Sequence, residues 1–163
     1  MDTLLGTDLA HAAALLRAGE LVAIPTETVY GLAGHGLRED SLRRIFAVKG
    51  RPLTNPLILH FASVEQLPAY VRMAAVPAAA HRLLAAFSPG PLTLLLPREP
   101  AVVPDLVTAG LPDVAVRMRV AGTTACSISS EMAPGRYTTG SPAGPNPTTV
   151  LSMPAWQAPP SST

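Results

Sequence analysis

The hydrophobic and polar positions along the chain follow helical and strand periods in turn. Apolar residues recur at helical spacing in four segments, and short apolar runs between proline, glycine or charged residues indicate strands. The pattern predicts helices at 7–19, 39–48, 64–70 and 77–87. It predicts strands at 21–24, 57–61, 91–96 and 114–118. Helices interleaved with strands favour an α/β domain built around one twisted, open sheet.

The pattern ends after Arg119. Residues 120–163 are dominated by Ser, Thr, Pro, Gly and Ala, and beyond Glu131 the only charged side chain is Arg136. A segment that buries so little apolar area cannot offset the entropy lost on ordering it. We therefore predict a core domain at residues 1–119 and a divergent, disordered tail at residues 120–163.

Composition excludes several classes of protein. The net charge of +1 argues against a broad basic surface for nucleic acid, although a local basic cleft fits it. The single cysteine, Cys126, cannot form an internal disulfide, which favours a reducing compartment. No apolar run reaches the length of a membrane span, and the first residues lack a basic leader. We expect a cytoplasmic protein without a membrane partner.

Lys49 is the only lysine in a chain with eleven arginines. It stands at the end of the second predicted helix, followed by Arg51 and Asn55 on a loop bounded by two prolines. A rigid loop with two cations and an amide suits a polyphosphate, because ammonium and guanidinium groups both pair with phosphate oxygens. Alternatively, Lys49 simply ends a solvated helix, where cations are favoured anyway. The sequence does not match the P-loop pattern.

Several polar side chains lie within or at the ends of the predicted apolar strands, where they are candidates for ligand binding. Thr26 and Thr28 should share one face of an extended segment, as ligand-binding hydroxyls or simply as good strand residues. His60 lies within an apolar strand, where a lone histidine is commonly a core residue. Arg117 ends the strand at 114–118 and directs a charge to the edge where open α/β sheets bind ligands. We identify no metal-binding spacing and no catalytic nucleophile or general base.

Four blocks of sequence, in order, resemble the YrdC-like family of threonylcarbamoyl-AMP synthases. The blocks are Pro25-Thr26-Glu27-Thr28-Val29-Tyr30-Gly31-Leu32, Lys49-Gly50-Arg51-Pro52 with Asn55-Pro56-Leu57 and His60, Pro89-Gly90-Pro91-Leu92-Thr93, and Val114-Ala115-Val116-Arg117-Met118. The resemblance covers roughly Leu4 to Met118. It implies a YrdC-like twisted open sheet with flanking helices and a central, positively charged cavity.

The resemblance also implies a function. L-Threonine, bicarbonate and ATP, which arrives with Mg²⁺ as a substrate, condense to threonylcarbamoyl-AMP and pyrophosphate, with no tightly bound cofactor. A tRNA threonylcarbamoyl transferase then uses the product to modify adenosine 37 of tRNA. The implied ATP contacts are Lys49, Arg51 and Asn55, and the implied threonine contacts are Thr28, His60 and Arg117.

The chain departs from the family pattern after Arg119. The family's Ser-Ala-Asn-x-Ser-Gly motif, which helps to hold ATP, has no match between Val120 and Gly144, and a late Ser-Thr-Val segment is also missing. Pro145-Asn146-Pro147-Thr148-Thr149 resembles the family sequence that follows the missing motif. The C-terminal part is therefore truncated, frameshifted or divergent.

Two other functions remain open. An impaired remnant of the fold would bind threonine or nucleotide without turnover, so threonine-dependent pyrophosphate release separates it from an active synthase. An RNA-binding module, with direct contact to tRNA, would show salt-dependent binding. The low net charge and few aromatic residues offer such a module few cations for phosphates and few rings for base stacking.

Overall fold

The computed structural model describes residues 5–25, 30–119 and 149–152. The described helices are α1 (Leu9–Ala18), α2 (Glu39–Lys49), α3 (Ala78–Phe87) and α4 (Asp105–Thr108). The strands are β1 (Val22–Pro25), β2 (Tyr30–His35), β3 (Ile58–Phe61), β4 (Thr93–Pro97), β5 (Asp113–Met118) and β6 (Thr149–Ser152). Short 3₁₀ helices span Val64–Ala69 and Met73–Ala75.

The strands form one mixed sheet in the order β1-β2-β6-β3-β5-β4. Among the described strands, β3 and β5 are paired in parallel, and the other neighbours are antiparallel. A sheet with helices packed against it confirms the predicted α/β class, and the four predicted strands all occur within a few residues of their expected ends.

The helix α1 covers one face of the β1–β2 end of the sheet. Asp8 caps its first turn by accepting a 3.0 Å hydrogen bond from the backbone N–H of His11. Gly19 ends it with a left-handed φ of 90°. Its buried residues Ala13 and Leu16 pack against Ile24 and Ala33 of the sheet. These contacts place α1 over β1 and β2.

The opposite face of the sheet carries the main core. Leu42, Ile45 and Phe46 of α2 pack there with Leu59 of β3 and Val116 of β5. Gly34 of β2 allows this close approach, because a Cβ atom at that position would lie 2.8 Å from both Ile45 Cδ1 and Ser41 Oγ. The Ser41 hydroxyl oxygen in turn accepts a 3.0 Å hydrogen bond from the backbone N–H of His35.

Two predicted elements differ from those observed. The helix expected at 64–70 is a 3₁₀ helix, because Pro68 lies inside it and its ring would clash with the carbonyl of Val64, four residues earlier, in an α-helix. The strand β6 lies within residues 120–163, where we expected no regular structure, so that expectation is wrong for these four residues. The strand β6 forms because it pairs with β2 on one side and with β3 on the other, and both supply hydrogen-bond partners for its backbone. The disorder predicted for 120–148 and 153–163 lies outside the described residues.

Candidate functional site

Polar residues occupy matching positions on three neighbouring strands of the sheet. In the register of the ladders, His60 pairs with Arg117, and Arg117 with Thr93. Register partners lie on one face of a sheet because side chains alternate along each strand. The sheet thereby brings together two of the predicted threonine contacts, His60 and Arg117.

His60 is a buried imidazole, with only 1% of the residue exposed. Neither ring nitrogen has a hydrogen-bond partner among the residues that the structure describes. Burial, followed by the charges of Arg119 and Arg117, holds the pKa of His60 well below its usual value of 6.5. The ring is therefore neutral at physiological pH, with one nitrogen able to donate and the other to accept. An ordinary core histidine would have these nitrogens satisfied, whereas a ligand-binding histidine keeps them for the ligand.

Arg117 is half-buried and is held by a neighbouring strand. Its Nε donates a 2.8 Å hydrogen bond to Oγ1 of Thr93 on β4. The terminal nitrogens of the same guanidinium are the chemically suitable donors for a carboxylate, which a planar fork can bind through two parallel bonds. The arrangement supports the predicted role of Arg117 at an amino-acid carboxylate.

Arg119 is a site residue that sequence reasoning missed. It is 1% exposed, and its backbone N–H donates a 3.0 Å hydrogen bond to the carbonyl of Phe61 at the end of β3. Its charge is the larger of the two that lower the pKa of His60. The signal was present in the strand period, because residues two apart share a face and Arg119 follows Arg117 by two.

Lys49 and Arg51 flank a sharp turn at the end of α2. Gly50 takes a left-handed φ of 57°, and the backbone N–H of Arg51 donates to the carbonyl of Phe46 at 3.0 Å. The pKa of Lys49 is lowered by partial burial and, to a smaller extent, by the charge of Arg51. The two cations thus lie close enough to repel each other, and a polyanion bound between them would relieve that repulsion.

The loop that follows Lys49 is held by its own hydrogen bonds. The Nη2 atom of Arg51 donates a 3.1 Å hydrogen bond to the carbonyl of Pro56. The backbone N–H of half-buried Asn55 donates to the carbonyl of Pro52 at 3.1 Å. These bonds link the two ends of the loop, and the three proposed ATP contacts lie on this one short segment.

The two groups of predicted contacts lie toward opposite ends of β3. Arg51 bonds to Pro56, just before β3 begins, whereas His60 is the third residue of that strand. Four residues of extended chain span at most about 14 Å, so the backbones of Pro56 and His60 lie no farther apart than that. Thr28, the remaining predicted threonine contact, lies outside the described residues.

Neither a metal site nor a membrane-spanning helix occurs in the part of the chain that the structure describes. Within residues 5–25, 30–119 and 149–152, no three His, Cys, Asp or Glu residues come together in a way that could hold a metal ion. Over the same part of the chain, no helix has the length and apolar character needed to cross a membrane.

Comparison with known proteins leads to the same family as the four sequence blocks. The family model Sua5_yciO_yrdC, described as "Telomere recombination", matches residues 14–135. A protein of Pyrococcus abyssi named threonylcarbamoyl-AMP synthase is 53% identical over 107 residues, which are 66% of this chain and 31% of that protein. A protein of Bacillus subtilis with the same name is 49% identical over 110 residues, 68% of this chain and 31% of that protein.

The fold is shared with a solved structure of a protein named Sua5. The crystal structure of P. abyssi Sua5 complexed with L-threonine superposes with a TM-score of 0.73 and 40% sequence identity, over 88% of this chain and 37% of that one. The chain thus spans about a third of the length of these relatives.

Proposed function

Since the chain belongs to the Sua5/YciO/YrdC family, we propose that it is a threonylcarbamoyl-AMP synthase, a nucleotidyltransferase that condenses L-threonine, bicarbonate and ATP. The products would be threonylcarbamoyl-AMP and pyrophosphate. The observation that carries the proposal is the register pairing of His60 with Arg117 on adjacent strands. The pairing supports the proposal because a neutral ring suits a hydroxyl and a guanidinium suits a carboxylate, the two polar groups that threonine offers beside its amine.

Each side of threonine has a matching group in this site. The carboxylate would pair with Arg117, and the side-chain hydroxyl would bond to one nitrogen of His60, whose ring is buried and neutral. The same name on the similar P. abyssi and B. subtilis proteins, and the L-threonine in the P. abyssi Sua5 crystal structure, support this choice of amino acid. Thr28 would complete the contacts to threonine.

The nucleotide would bind at the loop after α2. Release of pyrophosphate moves negative charge onto the leaving phosphates, and fixed cations stabilise that charge in the transition state. Lys49 and Arg51 supply two such cations on a short, hydrogen-bonded loop, with Asn55 beside them. ATP would arrive with Mg²⁺, and the protein's contribution would be chiefly to position the reactants and stabilise charge.

The product would serve tRNA modification in the cytoplasm, where a tRNA threonylcarbamoyl transferase would transfer the threonylcarbamoyl group to adenosine 37. Direct tRNA contact by this chain is not needed for that role. This chain carries a net charge of only +1, which favours a small-molecule site over a nucleic-acid surface.

A second candidate is a remnant of the fold that binds substrates but turns over slowly or not at all. It is favoured by the departure from the family pattern after Arg119, where a motif expected to complete the ATP site is missing. The 163-residue chain as written is then expected to bind threonine while releasing little pyrophosphate.

One pair of measurements separates these candidates. Pyrophosphate release from ATP and bicarbonate is assayed with and without L-threonine, and L-threonine binding is measured by calorimetry on the same protein. Threonine-dependent release supports the synthase, and binding without release supports the remnant. Absence of both binding and release would overturn both.

A further inference from the structure

We propose that Thr93 is a positioning residue for Arg117, and that it selects the way in which the guanidinium binds a substrate carboxylate. The inference rests on the proposed function and adds a residue to it. Its basis is the 2.8 Å hydrogen bond from Arg117 Nε to Thr93 Oγ1.

The geometry of arginine explains what this bond does. A guanidinium can bind a carboxylate side-on, through Nε and one terminal nitrogen, or end-on, through both terminal nitrogens. Nε carries a single proton, and in this site that proton is donated to Thr93. The end-on fork is then the only two-bond mode left, so the carboxylate lies beyond the tip of the Arg117 side chain.

The sheet makes Thr93 an effective anchor. Thr93 and Arg117 are direct register partners in the antiparallel pairing of β4 with β5, and the ladder of five residue pairs fixes their backbone separation. A threonine in a strand is also stiff at its first side-chain torsion, so its hydroxyl has few alternative positions. A flexible arginine is thus tied to a rigid partner, which lowers the entropy lost when the fork binds its ligand.

The turn before Thr93 also supports its role as a positioning residue for Arg117. Thr93 starts β4 after the turn that contains Gly90, whose backbone N–H donates to the carbonyl of Met118 at 3.2 Å. A Cβ atom at Gly90 would lie 2.6 Å from the carbonyl oxygen of Phe87, so only glycine fits this turn. The turn therefore ties the start of β4 to the end of β5, at the level of the Arg117 side chain.

The first test measures the contact itself without any ligand. In the full chain, the Arg117 Nε–H resonance is assigned by NMR and its hydrogen exchange is compared between wild type, Thr93→Val and Thr93→Ser. We expect slow exchange in wild type and in the serine variant, which keeps the hydroxyl, and faster exchange in the valine variant. Equal exchange in all three would overturn the proposal.

The second test measures the consequence for ligand binding. Calorimetry compares L-threonine with L-threoninamide, which lacks the carboxylate. Thr93→Val should weaken L-threonine binding by about tenfold, in line with the loss of a bond that orients a charged group, and should leave L-threoninamide nearly unaffected. Thr93→Ser should restore most of the affinity. A similar loss for both ligands would overturn the positioning role, because it would indicate general damage to the site.

A matched control and a double variant complete the design. Thr108 also bonds through its hydroxyl, to the carbonyl of Asp105 at 3.4 Å, and is buried in α4. Thr108→Val should leave the threonine affinity unchanged. In an Arg117→Met background, Thr93→Val should cause no further loss if Thr93 acts through Arg117, whereas an additive loss would mean that Thr93 contacts the ligand directly and would overturn the proposal.

The two tests also separate this inference from the proposed function. If wild type fails to bind L-threonine while the Arg117 Nε–H proton shows the expected protection, the proposed function fails and the carboxylate role of Thr93 falls with it. If wild type binds L-threonine and Thr93→Val binds equally well, only the inference about Thr93 is overturned.

Discussion

His60 lies directly across from Arg117 in the parallel pairing of β3 with β5. The pairing puts a buried, neutral imidazole beside a half-buried guanidinium on one face of the sheet. The two side chains offer complementary chemistry, since the ring can donate and accept while the guanidinium only donates. A ligand with both a hydroxyl and a carboxylate matches that pair better than a ligand with either one alone.

The first prediction concerns the choice of amino acid. L-Threonine should raise the melting temperature of the protein more than L-valine at equal concentration, because a site that bonds a hydroxyl is left with unpaired buried groups when the hydroxyl is absent. Thermal unfolding measured by circular dichroism checks this. In His60→Leu the advantage of threonine over valine should shrink. Equal protection by the two amino acids in wild type would contradict the role of His60.

The second prediction concerns ATP. Arg51→Ala should weaken ATP binding about tenfold or more by calorimetry, as expected for the loss of a charge-assisted phosphate contact worth about 1.5–3 kcal/mol. Arg43→Ala is the matched control, since Arg43 is exposed on α2 and pairs with Glu39 at 3.3 Å. ATP affinity that is unchanged in Arg51→Ala would remove Arg51 from the nucleotide site.

The third prediction concerns the packing of α2 on the sheet. Gly34→Ala should lower the free energy of unfolding by about 1–3 kcal/mol, because its Cβ atom would press on Ile45 and Ser41. Gly6→Ala is the control, since a Cβ atom there would meet nothing within 4 Å, and it should change stability by less than about 0.5 kcal/mol. Urea unfolding of both variants checks this, and an equal effect would mean that the sheet can yield at Gly34.

The fourth prediction concerns pH. Because the pKa of His60 is held well below 6.5 in the folded chain, the unfolded chain takes up a proton first as the pH falls below 6.5. The stability contributed by the neutral ring is therefore present above pH 6.5 and is lost as the pH falls. His35, whose pKa is lowered to about 4, chiefly by burial and then by the charge of Arg38, acts in the same direction.

A comparison of variants isolates the part due to His60. Urea unfolding between pH 6.5 and 5 should show a slope of stability against pH that is smaller in His60→Leu than in wild type, by up to about 1.4 kcal/mol per pH unit. His35 remains in both proteins, so its contribution cancels. An identical slope in the two proteins would mean that His60 takes up its proton over the same pH range in the folded and unfolded chains, which would contradict the lowered pKa.

Sequence predicted the elements better than it predicted their pairing. The caps of α1 and the left-handed Gly50 after α2 are local features, so the ends of both helices could be inferred. The strand β2 was missed because Gly31 and Gly34 weaken strand propensity, and Gly34 is present for packing against Ile45. The strand β6 was missed because its partners are distant in sequence and its surroundings are polar.

The site was also predictable only in part, because its residues carry local signals but their contacts depend on how distant strands pair. His60 and Arg117 stood out as polar residues in apolar strands, but only the sheet register shows that they are neighbours. Thr93 carried no local signal as a partner of Arg117, because the contact depends on the antiparallel pairing of β4 with β5. Arg119 could have been found, since strand alternation places it on the face of Arg117.

The most direct test is a calorimetric titration of the full chain with L-threonine, in wild type, Arg117→Met and Arg82→Met. Arg82 is exposed on α3 and serves as the matched loss of one arginine. The account predicts saturable binding in wild type and Arg82→Met, and binding at least about tenfold weaker in Arg117→Met, because a carboxylate loses its charged fork. Equal affinity in all three proteins would contradict the assignment of the His60–Arg117 pair as the amino-acid site.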